Sequence, residues 1–365
     1  ATAEALQEVA ALLAAVDGGR KHSATVYPPL LNLAMILKQV DDQARYKVPP
    51  SSGRAFGDRG ILARAARCAK FASASCLEEK GAVAAYAGCP QAEDVRRLQP
   101  PGPRGQPGFL VAVDPRADEI VLCVRRDPEG RSAGLRLTCS LERYGGGSAH
   151  AGLLACARRL VDEALPTVVR LSLDFPRKVV ALTGHGPGAG VAALAMVLLS
   201  EEGCPLRPAM RAGRVQCYAF GPPPAFEPLW ALPPWVRSST YAFVHGMDCV
   251  PRLCLGSLGG LLAAVRQVDM LPMTGLQRLA FLRGSLDMDY LLPDVAVLPE
   301  AERLPCSLCV VGTVVLVYRA EGGGQPRCER LPMATAEQLL VHRDMVNDHL
   351  MPLYEQAIAD LGAPP

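Results

Sequence analysis

Apolar residues recur along this chain in two periods, and the period changes near residue 108. Before that point the spacing is helical. An Ala- and Leu-rich stretch over residues 1–17 stops at Gly18-Gly19, and Leu30–Gln39 follows Pro28-Pro29 as a second helix. Lys47–Gly57 reads as a Pro/Gly/Ser linker, Ile61–Tyr86 as helix, and Pro90–Pro107 as loop. After it come short β-rich runs. Phe109–Val113 and Glu119–Val124 flank the turn Asp114-Pro115-Arg116 as a strand pair. A long helix over Ala149–Leu171, a strand over Lys178–Thr183 and a helix over Val191–Ser200 come next, the last stopped by Gly203. Val215–Phe220, Tyr241–His245 and Leu308–Tyr318 are further strands. Gly322–Gly324 marks a hairpin turn, and Gln338–Leu361 closes the chain as helix. Strands alternating with helices predict an α/β fold with a largely parallel sheet behind a helical N-terminal extension.

Composition narrows the function. Half of the 365 residues are hydrophobic and a fifth charged, which excludes a disordered chain. The net charge of +2 leaves no positive excess with which to displace counterions, so nucleic acid is not an expected partner. No apolar run reaches the length of a membrane span, and no signal-type run opens the sequence. Thirteen scattered cysteines fit reduced core thiols of an intracellular protein, organelles included, and not a secreted one. Cys306-Ser307-Leu308-Cys309 has metal-ligand spacing but lacks a second pair, so it reads as buried thiols; neither a metal nor a cofactor is expected. The pairs Arg125-Arg126 and Arg158-Arg159 read as solvated faces.

The segment Val179–Gly190 carries the chemistry. It is a buried strand, the turn Gly184-His185-Gly186-Pro187-Gly188, and a helix opening on small residues. A dinucleotide fingerprint would use Gly184, Gly186 and Ala189, but its acid belongs on the next strand, whereas Glu201 and Glu202 end the same helix. A nucleophile elbow, G-x-S-x-G, would use Gly184 and Gly188 as flanks and put Gly186 at the tip.

Here the sequence resembles the class 3 lipases, their sn-1 diacylglycerol lipase branch above all, whose elbow reads G-H-S-L-G-A-G. Four more segments are similar in the same order: Ala149–Leu154, Tyr218–Pro223, Asp248–Leu253 and Asp348–Tyr354. The resemblance covers roughly residues 60–360, dividing the chain into an N-terminal helical extension, 1–60, and a lipase-like domain, 61–365. It implies an α/β-hydrolase fold with Asp248 as triad acid and His349 as base. Residues 257–300 then either cover an acyl pocket or pack as ordinary helix.

The same resemblance exposes three departures. Gly186 offers no side chain where a serine would attack. Pro187 has no N–H, although the residue after the nucleophile donates to the oxyanion. The family's second oxyanion segment, R-G-T or R-G-S, aligns with Arg125-Arg126-Asp127, setting the Asp127 carboxylate where negative charge develops. Thr183 and His185 are the substitute nucleophiles within reach, and neither occupies the tip. The expectation is a pseudo-hydrolase serving as an accessory subunit among other protein subunits. Lipid in a remnant acyl pocket with peripheral membrane contact, or ester hydrolysis by unconventional residues, are the alternatives.

Overall fold

The computed structural model describes residues 26–42, 49, 53–102, 106–125, 140–286, 308–319, 324–332, 339 and 341–362. In chain order these hold α1 (Pro29–Asp42), β1 (Arg54–Ala55), α2 (Arg59–Ala74), α3 (Lys80–Ala87), β2 (Val95–Gln99), β3 (Phe109–Asp114) and β4 (Glu119–Val124). A hairpin, β5 (Leu141–Tyr144) and β6 (Gly147–His150), leads into α4 (Ala151–Asp174), β7 (Val179–His185) and α5 (Pro187–Leu199). Then come α6 (Arg207–Arg211), β8 (Val215–Phe220), β9 (Phe226–Glu227), α7 (Pro234–Ser238) and β10 (Thr240–His245). The remainder is α8 (Leu255–Asp269), α9 (Gly275–Leu282), β11 (Thr313–Arg319), β12 (Pro326–Arg330) and α10 (Met351–Gly362).

Among the described residues nine strands form the main sheet, in the order β1-β12-β11-β10-β8-β7-β4-β3-β2. The five central strands, β4, β7, β8, β10 and β11, are parallel, and antiparallel strands close both edges. Alternate residues of the strands feed two cores, as a sheet covered on both faces requires. Phe109, Val111, Ile120 and Leu122 meet α4 and α5. Leu110, Ala112, Val121 and Phe243 meet α2 and α10 through Phe71 and Tyr354. Helix α5 is apolar all round, and every residue from Ala189 to Leu199 is buried. That pattern belongs to a helix inside the molecule rather than on it.

A third core joins segments far apart in sequence. Leu33 and Ile36 of α1 pack with Leu261, Val265 and Val268 of α8, Phe281 of α9, and Val341 and Met345. Asp269 accepts hydrogen bonds from the Val26 and Tyr27 N–H groups and from Asn32 Nδ2. Arg278, fully buried, donates to Asn32 Oδ1 and to the carbonyls of Asp269 and Leu271, with its guanidinium 4.2 Å from the Tyr27 ring centroid. Residues 26–42 of the N-terminal extension and the helices after Asp248 thus form one helical cap, while Arg54–Ala55 of the same extension join the main sheet beside β12. The cap's α9 starts on a reciprocal capping box, Thr274 Oγ1 accepting from the Gln277 N–H and Gln277 Oε1 accepting from the Thr274 N–H. Thr274→Ala is expected to cost about 1 kcal/mol in urea denaturation.

Four details differ from the sequence expectation. The helix over Ile61–Tyr86 is two helices, because α2 ends at Ala74 and α3 starts anew at Lys80. Val95–Gln99, inside the expected loop, is a strand because it pairs with β3 at the sheet edge. Arg125 is not on a solvated face. It is 8% exposed and donates to the carbonyls of Ser75, Leu77 and Gln99, tying the α2–α3 junction to β2. The last helix starts at Met351, not 338, with turns over Arg343–Val346 and a 3₁₀ turn over Asn347–His349 before it. Pro352 fits the first turn of a helix and not its interior.

Candidate active site

Strand β7 lies between β4 and β8 and ends in the tight turn to α5. The turn is tight enough to dictate its residues. A Cβ on Gly184 would lie 2.7 Å from the backbone C and O of Gly188, and one on Gly188 would lie 3.3 Å from the Val124 carbonyl oxygen. Gly186 caps α5 at φ 54°, ψ −124°, a conformation that side-chain-bearing residues adopt only under strain. Its N–H donates to Phe220 O, and its carbonyl accepts from the N–H groups of Ala189 and Gly190. Pro187 begins the helix, where its missing N–H costs the helix nothing but removes a donor from the turn.

Asp248 and His349 meet at this turn. Asp248 follows β10 and is fully buried, Oδ1 accepting from the Val250 N–H. Its Oδ2 accepts from the Tyr354 hydroxyl at 2.5 Å and lies 2.8 Å from His349 Nδ1. His349 Nε2 lies 3.0 Å from the position a Cβ on Gly186 would take. The acid, the imidazole and the elbow tip therefore stand in line, in the order a catalytic triad needs, with no side chain at the third place. Thr183 does not fill it: the residue is buried and its hydroxyl donates to Tyr218 O at 2.7 Å. Nor does His185, whose Nε2 is 2.7 Å from the His349 carbonyl oxygen and whose ring lies 4.5 Å from the His349 ring. It sets the His349 backbone in place. Asp127 lies outside the described residues.

Around this line are groups that sequence reasoning did not single out. Tyr354 is fully buried, and burial followed by the Asp248 charge holds its phenol neutral, as a donor to the carboxylate. Gly221 has φ 56°, and a Cβ there would sit 2.8 Å from Asp248 Oδ2 and 3.0 Å from His349 Cε1. Asp348 accepts from the Met247 N–H and lies 3.5 Å from His245 Nδ1, and burial pushes its carboxyl pKa up. The available signal was the tyrosine that ends Asp348–Tyr354 and the glycine after Phe220. His150, by contrast, is one that its place in the turn before the long helix does predict as a structural residue: it caps α4, Nδ1 accepting from the Leu153 N–H, and burial lowers its pKa, favouring the neutral ring that can accept. Tyr354→Phe is expected to cost about 2 kcal/mol, because Asp248 loses a charge-assisted hydrogen bond; thermal denaturation measures it.

Chemically, the Asp248–His349 pair can take a proton from a group placed beside Nε2. The elbow supplies no group to attack. Among the described residues no cluster of three or more His, Cys, Asp or Glu could hold a metal ion. Cys306 lies outside the described residues. The described cysteines are free thiols, and no described helix is long and apolar enough to cross a membrane.

A mixed sheet with a parallel centre, a strand–elbow–helix turn, an acid after a later strand and a histidine before the last helix define an α/β-hydrolase fold. Residues 129–258 match the family model described as Lipase (class 3), a span that holds Gly186 and Asp248 and leaves out His349. Diacylglycerol lipase-beta of Mus musculus is 29% identical over 176 residues, 44% of this chain and 24% of the mouse protein. The chain thus spans about a quarter of that relative's length. A lipase from Rhizopus microsporus var. chinensis superposes with a TM-score of 0.53 at 17% identity, over 83% of this chain and 91% of that one. A propeptide complex of Rhizomucor miehei lipase gives 0.54 at 16% identity, over 86% and 90%. At that identity the structures speak for the fold alone. The chain is thus similar to the class 3 lipases over residues 129–258 and to diacylglycerol lipase-beta over 176 residues, on an α/β-hydrolase fold.

Proposed function

We propose that this lipase-fold chain does not hydrolyse esters by serine-type chemistry and acts as an accessory subunit in a protein assembly. One observation carries the reading: position 186 has no side chain, and His349 Nε2 stands 3.0 Å from where one would begin. A serine hydroxyl there would need the imidazole to withdraw. The missing N–H of Pro187 supports the same conclusion independently, since one oxyanion donor is worth about 10²–10³ in rate. The accessory role draws support from the cap. Val26, Met270 and Leu276 are each more than four-fifths exposed, on segments joined through Asp269 and Tyr27. Such side chains suit a surface that meets another protein.

A serine-directed fluorophosphonate probe is expected to leave the purified chain unlabelled, with p-nitrophenyl butyrate hydrolysis at the buffer rate. Labelling that disappears in His349→Ala would overturn the non-hydrolytic reading. The protein tagged in its native source is expected to elute in a complex larger than the mass of its own polypeptide on a denaturing gel, and elution as a free monomer would overturn the accessory role.

A further inference from the structure

The parallel strands have two ends, and the elbow, Asp248 and His349 use only the carboxyl one. At the other end a cavity of about 920 Å³ opens between the start of β10, the start of β11, the end of β12 and the segment after β9. Strand β10 separates the two places. Tyr241 at its start lines the cavity, while His245 at its end packs beside Tyr354, a run of about 13 Å at strand spacing. The volume is that of a small-molecule pocket. Ligands of open α/β sheets are expected at the carboxyl ends, so the fold does not account for it.

The lining is mixed in a specific way. Phe56, Leu229, Trp230 and Tyr241 give it an apolar, largely aromatic wall, and Trp230 at the rim is 77% exposed. Arg237 and Arg330 add two cations, and neither has an ion-pair partner among the described residues. Arg237 is the sharper observation. Its Nε is shielded from solvent and has no hydrogen-bond partner among the described residues. That nitrogen faces away from the cavity, but the two terminal nitrogens of Arg237 are not shielded and have no hydrogen-bond or ion-pair partner among the described residues, and a carboxylate is the group that meets such a pair best. Of the two acids on the same wall, Asp58 is engaged as the cap of α2, accepting from the Ile61 N–H at 3.1 Å, and Glu227 belongs to β9.

We infer that this cavity binds an amphiphilic monocarboxylate, its apolar body against Phe56, Leu229, Trp230 and Tyr241 and its head on Arg237, with Arg330 beside it. The site is independent of the reading of the elbow and stands whether or not the chain hydrolyses esters.

The chain has two tryptophans, so Trp235→Phe leaves Trp230 as the reporter. Titrating that variant with dodecanoate, below its micelle concentration, should give a saturable fluorescence change. Dodecan-1-ol should bind at least tenfold more weakly, and acetate should give no change. Adding Arg237→Met should weaken dodecanoate at least tenfold and leave dodecan-1-ol unaltered, and Arg330→Met serves as a second variant should Arg237→Met melt early. His349→Ala should leave the titration unchanged. Absence of a saturable signal, equal affinity for acid and alcohol, or loss in His349→Ala without loss in either arginine variant would each overturn the site.

Discussion

Serine at position 186 is expected to remain almost inert unless leucine replaces Pro187 as well. The backbone of the elbow is otherwise ready, and a side chain at 186 needs the His349 imidazole to give by a few tenths of an ångström. Gly184 and Gly188 allow the strand and helix to touch, the backbone at 186 already holds the strained conformation, and Asp248 orients His349 toward the tip. Gly186→Ser supplies the attacking hydroxyl, but the tetrahedral intermediate still lacks the N–H of residue 187. Gly186→Ser with Pro187→Leu supplies both. The double variant should react with a fluorophosphonate probe about 10²–10³ times faster than the single one. Adding His349→Ala should abolish the gain. Equal rates for the single and double variants would show that the 187 N–H is not the missing donor. In that case the burden falls on Asp127 or on His349, whose Nε2 crowds the new side chain at 3.0 Å from its Cβ.

How much of this was legible beforehand differs from element to element. The elbow was readable because its determinants are local: a buried strand, three glycines and a small-residue helix, all within Val179–Leu199. The junction of Asp248 with His349 was legible only through family order, since 101 positions separate them. Periodicity cannot bring such residues together. Strand β2 was missed because Val-Arg-Arg-Leu-Gln owes its conformation to pairing with β3, not to its own β propensity. Tyr354 and Gly221 were missed for a related reason. Their roles are contacts with the Asp248 carboxylate, and neither residue type announces a contact partner. The cap joins two stretches that the sequence presents separately, an N-terminal extension and a segment after Asp248. The bonds joining them run from Val26, Tyr27 and Asn32 to Asp269, and no linear pattern records them.

Raising the pH from 4.5 to 7.5 is expected to destabilise the protein through one carboxylate, Glu119. Sequence places it at the start of a strand, where a carboxylate ordinarily faces water. In the fold it is fully buried between α2 and the sheet. Oε1 meets Arg64 NH1 at 2.9 Å, while Oε2 has no hydrogen-bond partner among the described residues. Burial dominates and pushes its pKa up to about 7 from an ordinary 4.5, against the opposing pull of Arg64. The sign follows from which state releases its proton first. Below pH 4.5 both folded and unfolded chains hold the proton, and no penalty is felt. Between 4.5 and about 7 the unfolded chain ionises while the folded one does not, so stability falls as pH rises. Above that window both are ionised and the loss is complete, about 3 kcal/mol at about 1.4 kcal/mol per pKa unit. Glu119→Gln removes the titration and keeps the shape. The wild type should therefore lose about 3 kcal/mol relative to this variant between pH 4.5 and 7.5, read as the difference of two urea denaturation series. Taking that difference cancels Asp348, whose raised pKa would otherwise add a slope of the same sign. A flat difference would mean that Arg64 keeps Glu119 ionised in the folded chain. The α2–sheet contact would then rest on a buried ion pair that lasts through acid pH rather than on a protonated carboxyl.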